Sequence, residues 1–270
     1  MKIKFNILSI MVLLGITISG CDKNEIAPVQ ELATNKARIT VINAVPGSPS
    51  MDALVNNVKI NGSTISFGNR FPQTEYSLLP SGSLTIKSII NTPTTSPTTP
   101  PNIPFGTVTS TNTGNFDANK FYSIFVIGAP GGTTSGLLVE DKLPAGSSGK
   151  AFIRFVNAMP DGSGLDFYSG IIPAGSVNPT SPVAIFTNVT TGSAKDFIAI
   201  DASATGTPYQ FQLKSTGTTT NVGTSVNLTA VEGKVYTYFS VGFNTTYIIP
   251  GFTPSRTVTA APGLTLIVNR

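Results

Sequence analysis

Ala37–Ala53 reads ARITVINAVPGSPSMDA, and Ala151–Phe167 reads AFIRFVNAMPDGSGLDF. Aligned without gaps, the two share Ala37/Ala151, Ile39/Ile153, Asn43/Asn157, Ala44/Ala158, Pro46/Pro160 and Asp52/Asp166. That is six identities in seventeen positions, where composition alone gives roughly one. The same offset of 114 returns about 80 residues downstream. There KFYSIFVIG (Lys120–Gly128) and KVYTYFSVG (Lys234–Gly242) share Lys120/Lys234, Tyr122/Tyr236, Phe125/Phe239 and Gly128/Gly242. Two separated blocks that keep one offset predict a duplicated domain. The units are placed at residues 37–145 and 150–270, each of ordinary domain size. The Pro/Gly/Ser-rich stretch Leu143–Gly149 joins them.

Inside each unit the apolar runs are short and β-branched, as in Arg38–Asn43 and Phe152–Val156. Further strands are expected at 53–58, 75–79, 84–90, 121–127 and 137–140 in the first unit. In the second they are expected at 166–168, 184–186, 196–200, 209–214, 225–229, 234–242 and 264–268. Turn residues separate these runs, among them Asn61-Gly62, Asp161-Gly162 and Glu232-Gly233. After residue 20 no sustained 3.6-residue period occurs. The pattern predicts an all-β chain, one antiparallel β-sandwich per unit, each sheet with one apolar face and one Thr/Ser-rich face. The Pro/Thr-rich tract Asn91–Pro104 has no counterpart in the second unit and is expected to be an exposed loop.

Composition narrows the chemistry. The 270 residues include no His, no Trp and one Cys, and only 11% are charged. Without His, every Ser-His, Cys-His and His-metal mechanism is excluded. A single Cys excludes an internal disulfide. Leaving out Lys2 and Lys4, the chain carries 15 basic and 13 acidic residues. That balance, with no basic-aromatic cluster, gives no reason to expect nucleic acid as a partner.

The first twenty residues combine a basic start with an apolar run from Ile7 to Ile18, the layout of an export signal and too short to span a bilayer comfortably. The run ends in Ile18-Ser19-Gly20-Cys21, which resembles a bacterial lipobox. The resemblance implies removal of residues 1–20 and lipidation of Cys21, followed by a tether over 21–36. Two or three acyl chains would then hold the protein firmly to a membrane. Asp22-Lys23-Asn24-Glu25 partly resembles the surface-export signal of Bacteroidetes lipoproteins. The expected location is the cell envelope at the outer membrane, with outward or periplasmic orientation left open.

The repeated motif, Asn43-Ala-Val-Pro46 with Asp52 and Asn157-Ala-Met-Pro160 with Asp166, resembles the bacterial domain-of-unknown-function 4397 family. The resemblance implies immunoglobulin-like sandwiches in tandem on a Bacteroidetes-type lipoprotein, and it supplies no activity. From the residues themselves, Pro46 and Pro160 force the chain out of a strand. Asn43 and Asn157 can bond turn amides. Asp52 and Asp166 are expected to hold the loop between the first two strands of each unit.

Paired carboxylates are the catalytic option left, and the acidic residues are thinly spread. Glu140-Asp141 is the only adjacent pair; beside the joint it is expected to be a solvated hinge. Asp161-Gly-Ser-Gly-Leu-Asp166 lacks the ligand spacing of an EF-hand and reads as a turn. Tyr122, Phe125, Tyr236, Tyr238 and Phe239 read as core, whereas Phe67, Phe71, Tyr76 and the Tyr247–Phe252 stretch lie in less regular sequence. Neither cofactor nor metal is expected. The sequence therefore points to a non-enzymatic envelope lipoprotein with a binding or structural role. Its partners would be the membrane through Cys21 and an envelope protein or glycan. A fimbrillin-like pilus subunit and an accessory glycan-binding lipoprotein remain as alternatives.

Overall fold

In the computed structural model, residues 35–91, 106–162, 164–250 and 255–270 are described. The export signal, Cys21, the tether and nearly all of the Pro/Thr tract lie outside them. The described residues form strands and turns without a helix. The first unit contains β1 (Lys36–Asn43), β2 (Met51–Val55), β3 (Val58–Lys59), β4 (Arg70–Phe71), β5 (Ser77–Pro80), β6 (Gly82–Ile90), β7 (Val108–Phe116), β8 (Phe121–Gly128) and β9 (Thr134–Glu140). The second contains β10 (Lys150–Asn157), β11 (Leu165–Ile171), β12 (Thr180–Val189), β13 (Ser193–Ala194), β14 (Ile198–Asp201), β15 (Thr207–Ser215), β16 (Asn221–Ala230) and β17 (Val235–Val241). A hairpin, β18 (Tyr247–Ile249) and β19 (Arg256–Val258), precedes the last strand, β20 (Gly263–Val268).

Each unit is a two-sheet sandwich. In the first, β4-β1-β8-β9, with β5 also on β1, faces β3-β2-β6-β7. In the second, β13-β10-β17-β20, with β14 also on β10, faces β12-β11-β15-β16. Pairing is antiparallel except for one parallel pair in each unit, β1 with β8 and β10 with β17. A parallel pair needs a long crossover, and here most of the sandwich supplies it.

The offset of 114 holds for β1/β10, β2/β11, β7/β16 and β8/β17 but not for β5/β14 or β6/β15. The second unit has a longer connection after β11, and the first has the Pro/Thr tract after β6. These insertions nearly cancel, which is why the ends of the repeat stay in register. The strand β7 escapes the sequence pattern because its VTSTNTGNF carries little apolar alternation. Its counterpart at the same offset, within β16, was the available signal. The hairpin β18–β19 was not expected either.

In β6 the alternation of half-exposed and buried residues follows the two-residue period of a strand with one face in a core. Ile39, Val41, Met51, Ile86, Phe116 and Ile124 fill the first core. Ile153, Phe155, Phe167, Phe211 and Tyr238 fill the second, with Phe167 stacked on Phe155 at 5.0 Å and on Phe211 at 5.3 Å.

The β1–β8 and β10–β17 sheets depart from the expectation of one polar face, because both of their faces are covered. Their outer faces pack on each other through Ile42, Ala44, Phe125, Val156, Ala158, Phe239 and Ile267. Ile42/Val156, Ala44/Ala158 and Phe125/Phe239 are repeat equivalents, and the two Phe rings meet edge to face at 5.5 Å. The contact therefore has the self-complementary form of a two-fold dimer, built into one chain. Residues Asn35–Arg270 form a single compact unit. The segment after β9 joins like ends of the two sandwiches, and the hairpin β18–β19 spans the opposite ends.

Candidate functional site

Asn43 and Asn157 are the last residues of β1 and β10 and are buried. The Asn43 amide donates to the Ile65 carbonyl at 3.1 Å, and its oxygen accepts from the Val45 N–H and the Ser48 hydroxyl. The Asn157 amide donates to the Val189 carbonyl at 2.8 Å, and its oxygen accepts from the Met159 N–H and the Ser240 hydroxyl. Each side chain thus closes the turn after its strand and straps that turn to a neighbouring segment. Val45-Pro46-Gly47-Ser48 is closed by the Ser48 N–H on the Val45 carbonyl. Gly47 has φ +69°, the left-handed position after a turn proline. Pro160 stands at the matching place, with Asp161 where the first unit has Gly47.

Asp52 and Asp166, also buried, do not bond the turn between the first two strands. Asp52 accepts from Asn61 at 2.9 Å and from Asn91, and the Lys59 ammonium lies 2.9 Å away. Asp166 accepts from the Asn188 and Gly217 N–H groups and the Thr216 hydroxyl. Asn91 and Thr216 are the first residues past β6 and β15, the strands that pair with β2 and β11 in each unit. Both carboxylates therefore fix the base of the β6–β7 or β15–β16 loop. Burial alone would raise the Asp166 carboxyl, but its three donors hold it below the ordinary value.

The adjacent pair Glu140-Asp141 is not a solvated hinge. Asp141 is 2% exposed and meets Arg154, itself 1% exposed, at 2.5 Å. Ser123 and Tyr76 donate to the other carboxylate oxygen at 2.6 and 2.7 Å. Arg154 Nε donates to the Thr237 hydroxyl, which donates to Asn269, whose amide donates to Tyr76. Burial first, then the nearby Asp141, push the Tyr76 phenol above its ordinary value. Sequence reasoning missed this network, although Ser123/Thr237 stand at the repeat offset and Asp141 and Asn269 each follow the last strand of a sandwich.

Asp161 is the acceptor at the base of the hairpin. Its carboxylate takes the Asn244 and Thr245 N–H groups at 2.9 and 3.0 Å. Ile249 and Val258 of the hairpin, with Phe243, bury themselves on Ala129. The Phe243 and Tyr247 rings stack at 4.8 Å.

Two concavities lie among the described residues. A crevice of about 270 Å³ between the sandwiches is lined by Ile42, Arg70, Gln73 and Ile267 among others. The Arg70 guanidinium there donates to the Gln73, Thr74 and Val268 carbonyls. An open groove of about 530 Å³ lies beside β12 and β14, with Ile171, Val183, Ile200 and Tyr209 along it and the Lys150–Asp201 pair in its lining. Among the described residues no group of three or more acidic, His or Cys side chains converges.

No curated protein matches the chain. Among solved structures, a candidate cell adhesion protein from Bacteroides eggerthii DSM 20697 aligns over 88% of this chain and 96% of its own, at 8% identity and a TM-score of 0.23. The family model described as "Domain of unknown function (DUF4397)" matches residues 37–168. The match takes in the first sandwich and continues through β10 into β11, so that it contains both Asn-Ala-x-Pro motifs. Over these residues the chain belongs to the DUF4397 family.

Proposed function

We propose that this chain is a non-enzymatic lipoprotein of the outer membrane, held by acyl chains on Cys21, whose fused sandwiches present the turns at their far end to an envelope protein. One observation carries the reading. β1 begins at Lys36, fifteen residues after Cys21, and runs away from the tether toward the turn at Pro46. The Pro/Thr tract after β6 and the hairpin after β17 are inserted at that far end. They are among the stretches in which the two units differ most, and variable loops on a rigid scaffold are where recognition concentrates.

Other features support it. The buried carboxylates Asp52, Asp141 and Asp166 are all engaged in holding loops or the joint, which leaves none poised for acid–base work. β1 has neighbours on both sides, β4 and β5 on one and β8 on the other, so its sheet lacks the open slot that a donated pilus strand would fill. Several aromatic faces are occupied: Lys214 covers Tyr168 at 4.4 Å, and Tyr247 lies on Phe243. That favours a protein partner over a glycan stacked on an exposed ring.

Fractionation of cells carrying Cys21→Ser tests the anchor. The variant is expected in the soluble fraction without palmitate label; retention in the membrane fraction overturns it. Photo-crosslinkers test the far end. Thr218, in the β15–β16 turn, should yield a protein adduct in cells and Asn119, at the tether end, should not; the reverse pattern overturns the orientation.

A further inference from the structure

The charges of the fold are sorted along its length. Lys36 and Lys150 open β1 and β10, and Lys120 and Lys234 stand just before or at the foot of β8 and β17. Both pairs sit at the repeat offset, so the duplication itself places two lysines at the tether end of each sandwich. Lys142 follows β9 and Arg270 follows β20 at the same end, where the Arg270 guanidinium reaches the Pro144 carbonyl. Arg38, lying over the Phe121 ring at 5.0 Å, adds a seventh cation. Five acidic residues share this end: Asp117, Glu140, Asp141, Asp201 and Glu232, of which Asp141 is buried on Arg154. Lys120 is taken by Asp117 and Glu140, and Lys150 by Asp201. Lys36, Lys142, Lys234 and Arg270 have no acidic partner among the described residues.

The far end is different. Its described turns are made of Gly, Ser, Thr, Asn, Pro and apolar residues, with Asp161 and Arg256 as the charged positions. Asp161 is spent on the N–H groups of Asn244 and Thr245.

We propose that the tether end of the two sandwiches is a docking face for the anionic phosphate surface of the membrane that holds the chain. The proposal rests on the anchored orientation given above. Charge complementarity and tether length argue for it together. Lys36 is fifteen residues after Cys21, a reach of at most about 50 Å, so this is the end held nearest the lipid. Basic residues gain from an anionic surface only within about a Debye length of it. The like ends of both sandwiches are joined by the short segment after β9, so both lysine pairs can face the surface at once. Docking of this kind would stand the molecule upright and hold the charge-poor turns away from the bilayer.

The test uses the mature chain with Cys21→Ser, so that it carries no acyl group, sedimented with vesicles. Vesicles of phosphatidylcholine are compared with vesicles containing 30% phosphatidylglycerol. Association is expected only with the anionic vesicles at 20 mM salt, and to fall at least ~10-fold at 300 mM. The triple reversal Lys36→Glu, Lys142→Glu, Lys234→Glu should abolish it. The reversal Lys87→Glu, Lys195→Glu, away from this end, should not. If the triple variant misfolds, Lys142→Glu with Lys234→Glu, both exposed, is expected to weaken binding several-fold. Equal binding to neutral vesicles, no binding to anionic ones, or equal loss in the control variant overturns the proposal. So does heparin binding as tight as vesicle binding, which would make the face a general polyanion site. None of these outcomes depends on acylation, whose failure would appear separately in the fractionation of Cys21→Ser cells.

Discussion

The carboxylate of Asp141, one residue past the last strand of the first sandwich, forms its ion pair with Arg154, in the middle of the first strand of the second. Both groups are sealed from water between two sheets that otherwise meet through Ile42, Phe125, Val156 and Phe239. An ion pair in such a place contributes little net stability over a hydrophobic pair, but it is costly to break from one side. It also fixes how the sandwiches meet, since Ser123, Tyr76, Thr237 and Asn269 must all be in position to satisfy it.

Asp141→Asn leaves the Arg154 charge buried without a counter-ion. The expected cost is about 3–5 kcal/mol, read from urea denaturation. Arg154→Leu combined with Asp141→Leu should recover most of that loss, because the joint then has no charge to satisfy. A loss below ~1 kcal/mol for Asp141→Asn would mean that the pair is open to solvent.

The two turn asparagines should differ in weight. Asn157→Ala removes bonds to Val189, Met159 and Ser240, all buried. Asn43→Ala removes bonds to Ile65, Val45 and Ser48, the last at a partly solvated site. Orphaned buried groups cost about 1–3 kcal/mol each, whereas a group that water reaches costs less. Denaturation of the two variants is expected to show the larger loss for Asn157→Ala.

Asp166 gives the fold an acid limb. Its carboxyl is held below its ordinary value of 3.8 in the folded chain. The stability it contributes is present above the unfolded value and is lost as pH falls through the lower folded value. Stability measured by denaturant at stepped pH should therefore fall below about pH 4. Asp166→Asn should flatten that part of the curve while lowering stability at neutral pH.

The residues that the repeat made legible are those that hold the same position in both sandwiches. Asn43/Asn157, Tyr122/Tyr236 and Asp52/Asp166 do the same work twice, so identity at a fixed offset exposes them. Tyr122 accepts the Asp117 N–H and Tyr236 the Val231 N–H, each five residues upstream. What the sequence hides is asymmetric or depends on the joint. Arg154 stands opposite Thr40, and Asp161 opposite Gly47, with no identity to mark them. Phe125 and Phe239 looked like core residues of separate sandwiches. Strand periodicity cannot distinguish a face buried in its own sandwich from one buried against a neighbour, because both read as apolar.

The position shared by Gly47 and Asp161 explains how the hairpin closes the far end. In the second sandwich Asp161 accepts the N–H groups at the start of the insert. In the first, Gly47 leaves room for the other strand of the same hairpin: a Cβ there would lie 2.7 Å from Val258 Cγ1. Gly131 and Gly132 leave similar room for Ile249 and Tyr247. A side chain at Gly47 would thus meet both a left-handed backbone, φ +69°, and a filled space. Gly47→Ala is expected to cost about 1–3 kcal/mol through strain and overpacking. It should also raise the rate of proteolysis within the hairpin. Gly62→Ala, where a Cβ meets nothing within 4 Å, should cost well under that and leave the hairpin protected. If both variants behave alike, the hairpin does not rest on the first sandwich, and the two halves are joined only through the buried sheets and the segment after β9.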